Sequence, residues 1–106
     1  MNLLEYKQKC KGAVYFLSCY LHGDCIDEHG SAENVVASFI DHENLENIVS
    51  VADDFAYILE QEMSEEILET LLIELGADYY LWRTDDLVPS KWLGTLVNRF
   101  YEKAYC

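Results

Sequence analysis

The sequence predicts an all-α fold: residues 1–106 form a single-domain bundle of about five main helices, with two irregular acidic loops between them. Three observations predict it. Apolar residues recur at three-then-four spacing through most of the chain, the signature of helices with one buried face. One proline and five glycines leave room for long regular elements. A hydrophobic fraction of 51%, with 13% aromatic residues, supplies a core and argues against disorder. A chain of 106 residues makes one domain, with an expected radius of gyration of roughly 13 Å.

Asn2 to Leu21 reads as the first helix. Its wide apolar face is Ala13, Val14, Phe16, Leu17, Tyr20 and Leu21, and Lys7, Lys9 and Lys11 occupy its early turns. Gly12 weakens a helix interior by roughly 1 kcal/mol against Ala, which leaves room for a break near it within the one expected helix. His22-Gly23-Asp24 ends the helix, and Cys25 to Gly30 reads as a polar loop. Ser31 opens the next helix as its N-cap, with Val35, Val36, Phe39 and Ile40 inward. Asp41 to Asn44 is a joint.

The stretch from Leu45 to Leu75 is the scaffold, read as a helical hairpin. Leu45, Ile48, Val49, Ala52, Phe55, Ala56 and Leu59 mark its first apolar face, and Ile67, Leu68, Leu71, Leu72 and Leu75 its second. Between them Ser64 is an N-cap, followed by Glu65 and Glu66 where the helix dipole favours negative charge. Gly76 stands where a left-handed C-terminal residue is expected. Asp78 to Val88 has no helical period and reads as extended or as a short hairpin. Pro89 suits a first helical turn, and Trp92, Leu93, Leu96, Val97, Phe100 and Tyr101 face inward along a last helix to about Ala104.

Charge narrows the function. Twenty acidic residues against seven basic ones give a formal net charge of -13. From Gly12 to Trp82 there are sixteen Asp and Glu and no Lys or Arg. Such a surface repels nucleic acid and anionic membranes and attracts basic partners. The apolar segment Ala13–Leu21 is too short to span a bilayer, and nothing in the sequence points to export. A cytoplasmic location with reduced thiols is expected.

Little supports chemistry. Cys19, His22, Cys25 and His29 are closely spaced zinc-type ligands, but in no established zinc pattern, so no metal is assigned. Cys19 is better read as a packed cysteine and His22 as a helix-end histidine. The pairs Asp53–Asp54 and Glu65–Glu66 fall about 100° apart on a helix and cannot converge on one reacting atom. No nucleophile–base set, phosphate loop or cofactor fingerprint appears, so no enzyme and no cofactor are expected. Eight tyrosines are many for this length. Tyr79-Tyr80-Leu81-Trp82, between acids, reads equally as aromatics that cap the core or as a contact loop, since Tyr and Trp are enriched at binding hot spots.

The ordered blocks are Tyr15-x4-Tyr20-Leu21-His22-Gly23-Asp24, Gly30-Ser31-Ala32-Glu33-Asn34-Val35-Val36, Met63-Ser64-Glu65-Glu66, Leu75-Gly76-Ala77-Asp78-Tyr79-Tyr80, and Trp92-Leu93 before a closing helix. Together they resemble a family of small acidic immunity proteins from bacterial contact-dependent growth inhibition (CDI) systems, over about residues 13 to 102. The resemblance implies a cytosolic antidote that binds the C-terminal toxin domain of a cell-surface effector and blocks it. Such toxins are frequently nucleases with basic substrate sites, which suits an acidic inhibitor. The expected complex is one-to-one with a monomer, involving neither nucleic acid nor membrane. The matched blocks carry caps and core positions and transfer no toxin-binding residues. From the sequence's own acidity and aromatics, the expected contacts are Asp24, Asp27 and Glu28 in the first loop and Asp78, Tyr79, Trp82, Asp85 and Asp86 in the second. Asp53 and Asp54 are in reserve. The alternative is an acidic nucleic-acid mimic or regulator occupying a basic host protein, which needs carboxylates spaced along an elongated body.

Overall fold

The computed structural model describes residues 3–78, 80–84 and 86–105. Its helices run α1 Leu3–Lys9, α2 Lys11–Tyr20, α3 Cys25–His29, α4 Ala32–His42, α5 Leu45–Glu60, α6 Glu65–Glu74, α7 Leu81–Thr84 and α8 Pro89–Tyr105. No strand occurs among the described residues, and the all-α fold stands. The five main helices are α2, α4, α5, α6 and α8. The radius of gyration is 12.7 Å, in line with a closely packed chain of this length.

Local signals placed most boundaries. Ser31 Oγ accepts from the Asn34 amide at 3.2 Å, Asn44 Oδ1 from Asn47 at 2.8 Å and Ser64 Oγ from Ile67 at 3.3 Å, each satisfying an amide the helix start leaves free. Past α6 the Ala77 amide reaches the Leu72 carbonyl and Gly76 that of Ile73, with Gly76 at φ 134°. This paired pattern is a Schellman cap, as the glycine predicted. A Cβ at Gly76 would also come within 3.0 Å of Ser18 Cβ, so the position is closed to larger residues by packing as well.

Four expectations need correction. The first helix breaks at Cys10, two residues before Gly12, with Cys10 in a non-helical conformation and its side chain buried. The first acidic loop contains α3, anchored by Cys25, which is fully buried. The second contains α7, one helical turn that inserts Leu81 and Trp82 into the core. Finally, α5 and α6 do not form a simple hairpin, because α6 packs on α8.

Helix α5 is nonetheless central: it packs against α8 along one side and α2 along another. Two-sided cover explains why its buried residues are Ile48, Val51, Ala52, Phe55 and Ile58, a wider face than one stripe. Leu45, expected inward, is 50% exposed, and Ile67 is 48% exposed. At the centre, Phe16 meets Phe39, Phe55 and Phe100 edge-on at centroid distances of 4.8, 5.9 and 5.8 Å. These spacings fit the ring quadrupole preference for T-shaped contacts.

Candidate functional site

The acidic candidates fall at the two ends of α2. At its start, α2 crosses α5 so closely that a Cβ on Gly12 would lie 2.7 Å from Ser50 Oγ and 2.9 Å from Asp54 Oδ2. Cys10, the formal N-cap, supplies no capping hydrogen bond. Asp54 does so from the neighbouring helix, accepting from the Ala13 amide at 3.0 Å. Burial raises the Asp54 carboxyl above its ordinary pKa, against the lowering effect of the Ala13 and Gly12 amides. Half-buried Asp54 is therefore tied to the fold, whereas exposed Asp53 accepts a hydrogen bond from the Tyr101 hydroxyl. That bond pushes the Tyr101 pKa up to about 12.

Across the far end of α2, the Asp78 amide donates to the Leu21 carbonyl at 2.8 Å. The two predicted loops therefore start side by side, roughly 15 Å from the Asp54 end at 1.5 Å rise per residue. Asp24, Asp27, Glu28, Asp78 and Asp86 are all exposed there or on the adjoining segments. The Asp24 amide donates to His22 Nδ1, which leaves Nε2 to carry the proton toward Glu28 at 3.2 Å. Asp86 sits at φ 57° and forms a second Schellman cap, with Leu87 N–H on the Trp82 carbonyl and its own N–H on Arg83. Asp tolerates the left-handed region better than most residues, so its identity is partly structural. Tyr79 and Asp85 lie outside the described residues.

Trp82 does not stand on the surface. It is 1% exposed, stacked with Tyr80 at 5.5 Å and tilted against Trp92 at 5.2 Å. Its Nε1 is buried and has no hydrogen-bond partner among the described residues. The expectation of Trp82 as an exposed anchor is thus corrected: α7 turns the ring inward, where it closes the core beside α8. Tyr80 covers it, with the Arg83 guanidinium 4.7 Å above the Tyr80 ring.

The zinc-type residues are also dispersed. Cys19 is exposed and Cys25 buried, while the His29 ring stacks on Tyr20 at 6.5 Å. Among the described residues no group of three or more His, Cys, Asp or Glu is placed to hold a metal ion.

Sequence reasoning missed a feature on the outer side of α5. A wide groove of about 530 Å³ runs between the first turns of α5 and the end of α8, bounded by Leu45, Glu46, Val49, Asp53, Asp54 and Tyr105. A second hollow of about 340 Å³, bounded by Lys11, Tyr15 and Asn47, shares Ser50 with it. Beyond lies Glu43, whose carboxylate accepts from Tyr15 at 2.8 Å, Tyr20 at 2.9 Å and Asn47 at 2.9 Å. Burial would raise the Glu43 pKa, and these three hydrogen bonds outweigh it and hold it below the ordinary range. The groove joins residues about sixty positions apart, so its only sequence signal was an aromatic near the chain's end.

Cations barely offset the acids. Among the described residues the ion pairs are His22–Glu28, Arg83–Glu69 and Arg99–Glu33, and most carboxylates face solvent without a basic neighbour. No helix among the described residues is long and apolar enough to cross a membrane.

Comparison with known proteins fits this picture. A solved structure, "Crystal structure of CdiA-CT/CdiI complex from Y. kristensenii", contains a chain that superposes with a TM-score of 0.82 at 21% identity, covering 90% of this chain and 96% of that one. At that identity the likeness is one of fold. No curated protein sequence matches. The sequence itself matches the family described as CdiI immunity protein over residues 10–100, from the buried Cys10 to the buried Phe100. The chain thus belongs to the CdiI immunity protein family.

Proposed function

We propose that this protein binds the C-terminal toxin domain of its own contact-dependent growth inhibition effector one-to-one in the cytosol, and blocks it by occupation rather than by catalysis. The toxin is a nuclease whose substrate site is basic. The observation that carries this reading is the stretch from Gly12 to Trp82, sixteen carboxylates without one Lys or Arg, folded into a surface with few ion pairs among the described residues. A groove built for phosphates presents the complementary potential, so the inhibitor is steered into the site it must cover. The related complex pairs a CdiI protein with a CdiA-CT domain, which supports the same kind of partner here. The principal extents of 33 × 29 × 22 Å give no elongated carboxylate array, which disfavours the nucleic-acid mimic.

The test is a nucleic-acid cleavage assay with the toxin domain encoded beside this gene. Activity should disappear as the immunity protein reaches one equivalent. Cleavage that persists in excess immunity protein would refute inhibition by occupation, and a toxin with no action on nucleic acid would refute the nuclease assignment.

A further inference from the structure

The exposed face of the first half of α5 has the chemistry of a docking surface. Leu45, from α5, is 50% exposed and Tyr105, from α8, is 72% exposed; both line the same groove, with half-buried Val49 also lining it. Isolated exposed apolar residues are ordinary on a protein surface, but here they converge on one concavity. Glu46 and Asp53 stand at its rim, and the groove lining contains no Lys or Arg. Glu46 sits in the first turn of α5, where the helix dipole already favours a negative charge. That accounts for its helix but not for the apolar walls beside it.

We infer that this groove between α5 and α8 is where the toxin domain docks, and that its occupant is an Arg- or Lys-bearing segment of that domain. The assignment rests on the immunity reading above and deepens it. An Arg or Lys side chain matches both halves of the groove. Its methylene stem lies along Leu45 and Val49, and its cationic head meets the Glu46 and Asp53 carboxylates. The Tyr105 ring adds a face for the same cation. The neighbouring hollow continues the surface toward Tyr15, 38% exposed, which gives a second aromatic edge to the contact. The groove is lined by residues of α5 and α8 and by none from the two acidic loops, so the two locations can be separated by substitution.

The test is calorimetric titration of the full chain against a catalytically disabled toxin domain encoded beside this gene. Three proteins are compared: wild type, the groove variant Glu46→Lys/Tyr105→Ser, and the loop variant Asp24→Asn/Asp86→Asn. Wild type should bind one-to-one, the groove variant should bind roughly 30-fold more weakly, and the loop variant should stay within about threefold. Thermal unfolding establishes that each variant is folded, and Leu45→Ser replaces the groove pair should that pair unfold. Wild-type affinity in a folded groove variant would overturn the docking site while leaving the immunity reading intact. Loss confined to the loop variant would likewise move the contact to the two acidic loops. No complex with the wild type would overturn the immunity reading and the groove with it.

Discussion

Two glycines in helices should respond to the same substitution with opposite signs. Glycine to alanine inside a helix ordinarily stabilises by about 1 kcal/mol, through backbone entropy lost from the unfolded chain. At Gly94, in α8, an added Cβ meets nothing within 4 Å. Gly94→Ala should therefore approach that full gain. At Gly12 the same methyl would lie 2.7 Å from Ser50 Oγ, 2.9 Å from Asp54 Oδ2 and 3.1 Å from the Ser50 backbone carbon. Ser50 Oγ can rotate away, but its backbone cannot, so α2 and α5 must separate at an overpacking cost of about 1–3 kcal/mol. Moving Asp54 aside also removes the cap on α2, about 1 kcal/mol more. Against the helix gain, the net loss is roughly 1–3 kcal/mol for Gly12→Ala. At about 4–8 °C per kcal/mol for a domain near this size, the midpoint should fall by at least ~4 °C. Circular dichroism melts of both variants and the wild type measure it. A Gly12→Ala midpoint equal to or above wild type would refute the close crossing of α2 and α5.

Two further outcomes follow from the hydrogen bonds. Glu65, in the first turn of α6, accepts from the Ser90 amide at 2.9 Å and the Ser90 hydroxyl at 2.7 Å, so it caps α8 as well as favouring its own helix. Glu65→Ala should lower stability in urea by about 0.5–2 kcal/mol, more than an ordinary exposed glutamate would. At high pH, Tyr101 is pushed up to about 12 by its bond to Asp53, and Tyr20 is raised by burial and by Glu43. A raised folded pKa keeps its stabilisation below the unfolded value near 10 and loses it as pH climbs through the folded value. Stability should thus decline from about pH 10 upward, and Tyr101→Phe should flatten part of that decline in pH-dependent melts.

The sequence made the helix ends legible because their causes are local. Ser31, Ser64 and Gly76 each act on amides or carbonyls within five residues, and each does what its type predicts. The short helices α3 and α7 were not legible. Five and four residues contain too little of a 3.6-residue period to register, and it is burial of Cys25, Leu81 and Trp82 that holds them. The same reason moved Trp82 from expected contact to core residue. In α5 the buried face includes Val51 and Ile58 because two helices cover it, which a one-stripe reading does not anticipate. The acidity that points to a basic partner was plain from composition. The groove was not, because Leu45 and Tyr105 meet only through the packing of α5 on α8.

The central claim is that an uncompensated acidic surface carries this protein to a basic toxin domain. It is tested most directly by stopped-flow association with the toxin domain proposed as its partner, over a range of salt concentrations. Raising ionic strength from 0.01 to 0.15 M shortens the screening length from about 30 to about 8 Å. The account predicts a one-to-one complex whose association rate falls steeply over that range, with dissociation much less affected. An association rate indifferent to salt, or the absence of a complex, would contradict it.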